Sequence, residues 1–174
     1  MTQRRTLFVS FDPGQDDYWL VRFTDLYHEQ YEIHSARNLT IEPDESAAYV
    51  QELISEGYIG DGTVAVVLLG TKTFARRRVD WEIAAALELK HGRASGLLGL
   101  RLPTHLDFGK PSVNPARVPK RLAANLKSGF CAVKDWTESE AQLHAYLADA
   151  IRSATRNAQL ADNAQELLQR DILR

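Results

Sequence analysis

The side chains with the most chemical potential fall between Thr63 and Leu89. Val64–Leu69 reads as a buried strand ending at Gly70. A basic loop with Arg76, Arg77 and Arg78 follows, and an alanine-rich helix then carries one carboxylate, Glu82, in its first turns. Val79, Glu82, Ala86 and Leu89, at spacings of three, four and three, share one helix face. Three of them are apolar, and an unpaired carboxylate on such a stripe is costly to bury. Near a helix start, however, free backbone N–H groups and the dipole favour a negative charge. Glu82 therefore reads either as a site acid or as a dipole-stabilised carboxylate open to solvent. A strand, a glycine turn and an inward carboxylate are the parts of a site at the carboxyl edge of an α/β sheet. The arginine run is either a solvated face or a contact for a ligand phosphate. Trp81 can stack on a base or ribose, or fill a core. Ser10, Phe11 and Asp12 end the first strand, Asn38 follows the second, and Gly70 and Thr71 follow the third. Together with Trp81 these seven are expected to line the binding edge, their alternative roles being caps, core and turns.

The elements that must position these residues alternate. Strands are expected at Thr6 to Phe11, Tyr31 to Ala36, Val64 to Leu69, Gly96 to Leu102 and Phe130 to Lys134. Helices are expected at about Asp16 to Glu29, Glu45 to Glu56, around Glu82, Pro119 to Lys127, and Thr137 to Arg156. Gly57 and Gly92 are natural helix stops, Pro43 breaks the loop after the second strand, and Asp61-Gly62 turns the chain into the third strand. Thr137 with Glu140 three residues on reads as a capping box. A last amphipathic helix is expected over Gln159 to Leu173. The proline-containing stretch Pro103 to Val118 is long enough to suggest a functional loop. Strand–helix alternation of this kind implies a five-stranded parallel sheet with helices on both faces, order 2-1-3-4-5, a flavodoxin-like three-layer sandwich.

Composition narrows the function classes. The 174 residues are 44% hydrophobic and 25% charged, ordinary for one globular domain, read as 1–174 with 159–174 as an added helix. A formal net charge of −2 argues against a general nucleic-acid binder. Cys131 is the only cysteine, and His28, His34, His91, His105 and His144 show no ligand spacing, so neither a disulfide framework nor a metal is expected. The start of the chain lacks the pattern of a signal peptide, and no apolar run approaches a membrane span. A cytoplasmic protein is the resulting expectation. P-loop, dinucleotide fingerprint, zincin and nucleophile-elbow motifs are absent. Gly57, Gly60 and Gly62 precede a strand, where no phosphate cradle sits. A phospho-acceptor receiver is excluded because Gly70 and Thr71 stand where the acceptor aspartate must end the third strand.

Three segments resemble a known family. The opening FVSFD resembles the first box of Toll/interleukin-1 receptor (TIR) domains, and VVLLGTKTFARRRVDWEI resembles their third strand and acid-bearing helix. VPKRLAANLKSGFCAVKDW, residues 118 to 136, resembles the later part of the TIR-like proteins of the Thoeris anti-phage system. The resemblance covers about Arg5 to Trp136. It implies cleavage of NAD at the nicotinamide–ribose bond, with Glu82 in the place of the required glutamate. It also implies a cyclic ADP-ribose-type signal read by a separate effector. NAD is then a substrate and no cofactor is needed. Arg37 to Asp44 matches the family's variable interaction loop, so self-association or a trigger protein is expected to order it. The chemistry suits one acid: bond breaking builds positive charge on the ribose, a carboxylate stabilises it, and nicotinamide leaves neutral. The alternative is a non-catalytic TIR-like adaptor acting through self-association or partner binding. The two part on whether Glu82 faces a pocket open to Ser10, Phe11 and Gly70.

Overall fold

Apolar runs without alternation build the centre of the sheet. All six residues of β3 (Val64–Leu69) and of β4 (Gly96–Arg101) are buried, as strands covered on both faces must be. The computed structural model describes residues 3–42, 44–60, 62–89 and 93–172. In it β1 (Arg5–Ser10), β2 (Tyr31–His34), β3, β4 and β5 (Ala132–Asp135) form one parallel sheet in the order β2-β1-β3-β4-β5. Ser10 pairs with Val67, Leu69 with Arg101, and Arg101 with Asp135, so the carboxyl ends of the four central and right-hand strands lie at one edge.

The two faces are covered by different helices. Leu7, Val9 and Phe11 of the first strand and its exit pack with α1 (Asp17–Tyr27) and α5 (Glu140–Arg156). Phe8, Ala65, Val67 and Leu69 pack with α2 (Ala47–Tyr58), α3 (Arg77–Leu87) and α4 (Lys120–Ser128). The period of two along β1 thus sends Ser10 to the α3 side and Phe11 to the α1 side. No helix among the described residues is long and apolar enough to cross a membrane.

Several sequence expectations are corrected. Gly57 does not stop α2, which runs on to Tyr58. Tyr58 packs against Phe8 at 6.0 Å between ring centroids, and that contact outweighs the helix cost of one glycine, about 1 kcal/mol. Leu89 is not on the Glu82 face, because α3 ends at Leu87 and Leu89 is exposed. β5 begins at Ala132 rather than Phe130, since Phe130 and Cys131 turn into the core and Cys131 N donates to Asn125 O. Gly129, at φ 84°, makes the left-handed turn that closes α4. Pro43, Asp61 and Gly92 lie outside the described residues.

The largest correction is the chain after α5. Ala158–Leu160 forms a short 3-10 turn, and from Ala161 to Ile172 no helix forms. Polar side chains of α3 and α4 take this segment's backbone instead. Asn125 Nδ2 donates to Asp162 O and Asn125 Oδ1 accepts from Asp162 N, both at 2.8 Å. Arg121 donates to Glu166 O at 3.2 Å, and Leu168 N donates to Asp80 Oδ2 at 2.9 Å. A helix would have consumed those backbone groups internally and left the buried Asn125, Arg121 and Asp80 short of partners.

The cap of α5 is also displaced. Ser139, not Thr137, is the N-cap, and its hydroxyl accepts from Gln142 N at 3.2 Å. Thr137 Oγ1 accepts from Ser139 N instead. Ser139→Ala is therefore expected to cost about 1 kcal/mol in urea unfolding. A cost confined to Thr137→Ala would return the cap to the earlier residue.

Candidate active site

β1 and α3 bring the two central residues together. Ser10, the last residue of β1, donates through Oγ to Glu82 Oε2. Glu82 sits in the second turn of α3 and is 4% exposed, with Ser10 at 2%. One turn earlier on the same helix, Arg78 Nε lies 3.4 Å from Glu82 Oε1, the spacing at which helix side chains meet. The Arg78 guanidinium leaves a second nitrogen, Nη2, buried without a partner. Burial pushes the Glu82 carboxyl up to about 7, and the bonds from Ser10 and the charge of Arg78 only partly oppose it.

Two further acids stand at the same edge. Asp12, just past β1, is buried and accepts from Arg76 Nε at 2.9 Å. Asp16, also buried, has its carboxyl raised to about 6 by burial and by the neighbouring Asp12 charge. Asp16 packs directly on Gly70. A Cβ at residue 70 would lie 2.2 Å from Asp16 Oδ2, so any other residue there must displace the Asp16 carboxyl. Gly70 N is held by Thr73 Oγ1 at 2.8 Å, which fixes the start of the loop leading to α3.

The other expected lining residues are dispersed. Phe11 is in the core on the α1 side of the sheet. Thr71 and Asn38 are at the carboxyl edge but exposed, on the loops after β3 and β2. The face of Gly70 is filled by Asp16 rather than open to Glu82. Trp81 points away from the pair. Its indole is buried, Nε1 donates to Leu168 O at 2.8 Å, and Arg77 lies over the ring at 5.1 Å. At ~100° per residue, Arg77, Asp80 and Trp81 share one helix face while Arg78 and Glu82 share the adjoining one. Adjacent residues on a helix do not face each other, which separates Trp81 from the acid beside it.

Sequence reasoning missed Asp16 and Asp171. Asp171 closes a bridge, accepting from Arg76 Nη1 at 3.1 Å and from Arg77 N at 2.9 Å. Asp16 carries no sequence signal beyond its place before α1, and Asp171 carries none. The Arg78–Glu82 contact was also missed, although its i,i+4 spacing signals such a pair. Groups of three or more histidine, cysteine or acidic side chains that could hold a metal are absent among the described residues.

Residues 8–107, more than half of the chain, match the family described as Thoeris protein ThsB, TIR-like domain. The chain belongs to that family. Among solved structures, this TIR-like domain is similar to the TIR domains of the activated Roq1 resistosome, which directly recognises the pathogen effector XopQ. That match is 12% identical, covers 87% of this chain and 84% of the other, and has a TM-score of 0.40. It is also similar to general stress protein 14 from Treponema denticola, solved in complex with FMN. There the identity is 11%, the coverage 91% and 99%, and the TM-score 0.38. No curated protein matches the sequence. The family membership and the 2-1-3-4-5 sheet agree, since TIR and flavodoxin-like folds share that order.

A carboxyl raised to about 7 makes stability depend on pH. The folded TIR-like domain retains a proton on Glu82 that the unfolded chain has released above its ordinary value of 4.5. This contribution is fully present below that value and is lost as pH rises through about 7. Glu82→Gln is expected to be more stable than wild type at pH 8, by on the order of 1–3 kcal/mol, with the gap shrinking as pH falls to 5. Urea melts at the two pH values check this, and a gap independent of pH contradicts it.

Proposed function

We propose that this TIR-like domain cleaves NAD at the nicotinamide–ribose bond, with Glu82 as the catalytic carboxylate. The observation that carries the reading is a carboxyl held at the carboxyl edge of the sheet, almost without water, by one hydroxyl and a guanidinium at the long distance of 3.4 Å. Such burial opposes stability, and a costly ionisable group in a sheet-edge position is a mark of function. The family of the chain supports the same chemistry.

In the proposed reaction the C1′–N bond of the nicotinamide ribose breaks. The bonding pair leaves with nicotinamide, which departs neutral, so no general acid is required. The ribosyl carbon becomes cationic, and the Glu82 carboxylate stabilises it in a site of low dielectric. Ser10, bonded to Oε2, orients the carboxylate. Water then adds to C1′ and loses a proton, giving the linear product. With water excluded, an adenine nitrogen of the same molecule takes its place and gives a cyclic ADP-ribose-type signal. Such a product suits a separate effector in a defence pathway.

Glu82 is closed in this structure, and that favours a second reading. A TIR-like domain whose acid stays sealed is an adaptor working through self-association or partner binding. The two readings separate in one assay. Purified protein is incubated with NAD over a wide range of protein concentration, nicotinamide and ribosyl products are followed by mass, and size is measured alongside. The enzyme reading expects weak turnover in dilute protein and a steep rise with assembly. It also expects Glu82→Gln to lower the rate on the order of a hundredfold or more. The wild-type rate is expected to rise with pH through about 7, since the carboxylate is the active form. Undetectable cleavage at every concentration, or a Glu82→Gln rate equal to wild type, selects the adaptor.

A further inference from the structure

The end of the segment after α5, Leu168 to Ile172, is fastened to one short stretch of the chain. Leu168 bonds Asp80 and Trp81, Arg77 Nη1 donates to Gln169 O at 3.2 Å, and Ile172 N donates to Ala75 O at 2.8 Å. Asp171 divides its carboxylate between Arg76 Nη1 and Arg77 N. All of these partners lie in residues 75–81, between β3 and Glu82. The segment also has two parts of different strength. Up to Leu168 it is held by the buried side chains Asn125, Arg121 and Asp80. From Gln169 onward its charged contact is the half-exposed pair Arg76–Asp171, with side chains 34% and 39% exposed, which water and salt weaken.

That outer pair is tied to the site. Arg76 also binds Asp12, two residues beyond the Ser10 that holds Glu82. Asp171 therefore secures the loop, the start of α3 and the exit of β1 through one guanidinium. The donors it uses, a guanidinium and the N–H of the first residue of an eleven-residue helix, are those that phosphate oxygens take. Arg77 N lies five residues before Glu82, ~7.5 Å along the helix axis. A ribosyl C1′ and the phosphate on its own 5′ oxygen are separated by a comparable span.

We propose that residues 169–172 are an autoinhibitory latch. Asp171 ties Arg76 and the start of α3 into the closed arrangement around Glu82, and a pyrophosphate-class anion of the substrate releases it by taking the same two donors. The gating half rests on the reading of Glu82 as an NAD-cleaving acid, whereas release itself does not. The latch lies outside the residues that match the family, 8–107.

The test uses the full chain and its Asp171→Asn variant, with inorganic pyrophosphate as the probe. Hydrogen exchange is read at the amides of Ile172 and Leu168. In wild type, pyrophosphate is expected to speed exchange of Ile172 at least several-fold while Leu168 stays protected. In Asp171→Asn, Ile172 is fast from the start and pyrophosphate adds nothing. NAD turnover by the variant is expected to exceed wild type several-fold at the same protein concentration. Should the variant misfold, high sodium chloride on the wild type replaces it and must free Ile172 ahead of Leu168. Unchanged Ile172 exchange under all these conditions overturns the latch. So does a released variant whose turnover merely equals that of an active wild type. Release by pyrophosphate with no cleavage of NAD by either protein supports the latch and removes the NAD reading instead.

Discussion

The burial of one carboxylate at the junction of β1 and α3 constrains the rest of this structure. Glu82 is raised to about 7 because it has lost water and gained only Ser10 and Arg78 in return. To hold it there, β1 must end with a hydroxyl on the α3 side, and α3 must begin one turn before the acid with a cation. The loop between β3 and α3 must also be short and rigid. Gly70, Thr73 and the 3-10 turn Thr73–Ala75 supply that loop, and Asp16 packed on Gly70 locks its first residue. The same closeness that fixes the loop leaves Asp12 and Asp16 as neighbouring buried acids, which raises Asp16.

α3 is consequently a helix with three loaded faces. Val79, Ile83 and Ala86 pack on the sheet side, Arg78 and Glu82 face β1, and Arg77, Asp80 and Trp81 carry the C-terminal segment. The third face holds a buried ion pair, Asp80 with Arg121 at 2.8 Å. Removing two charges from water is repaid only when their remaining valences are filled. Asn163, Glu166 and Leu168 of the C-terminal segment fill them. The extended segment and the ion pair thus require each other. Trp81, which looks like a base-stacking platform in the sequence, is drawn into that arrangement and away from the acid.

Much of the fold was legible in the residues. Unbroken apolar runs such as VAVVLL mark strands covered on both faces, and their alternation with amphipathic helices leaves the parallel 2-1-3-4-5 sheet as the natural solution. Glu82 stood out because a lone acid on an apolar stripe violates the pattern around it. Arg78 was read only as part of a basic run, although its i,i+4 spacing to Glu82 is a signal for the pair the structure shows. These inferences depend on neighbours within one turn or one strand, where covalent geometry sets who meets whom.

What required the tertiary structure involves partners distant in the chain. Residues 159–173 have a helical apolar pattern, yet Ala161–Ile172 is non-helical, because Asn125, Arg121 and Asp80 offer its backbone stronger partners than its own turns do. Ser10 meets Glu82 across 72 positions and Arg76 meets Asp171 across 95. Phe11 and Trp81 leave the site for the core, since alternation along a strand and rotation along a helix aim neighbouring side chains in different directions. The sequence by itself therefore determined the five strands, the helices between them, their order and the place of the acid on its helix. The tertiary structure alone decided which groups surround that acid and that its site is closed, because burial and pairing depend on residues that only folding brings together.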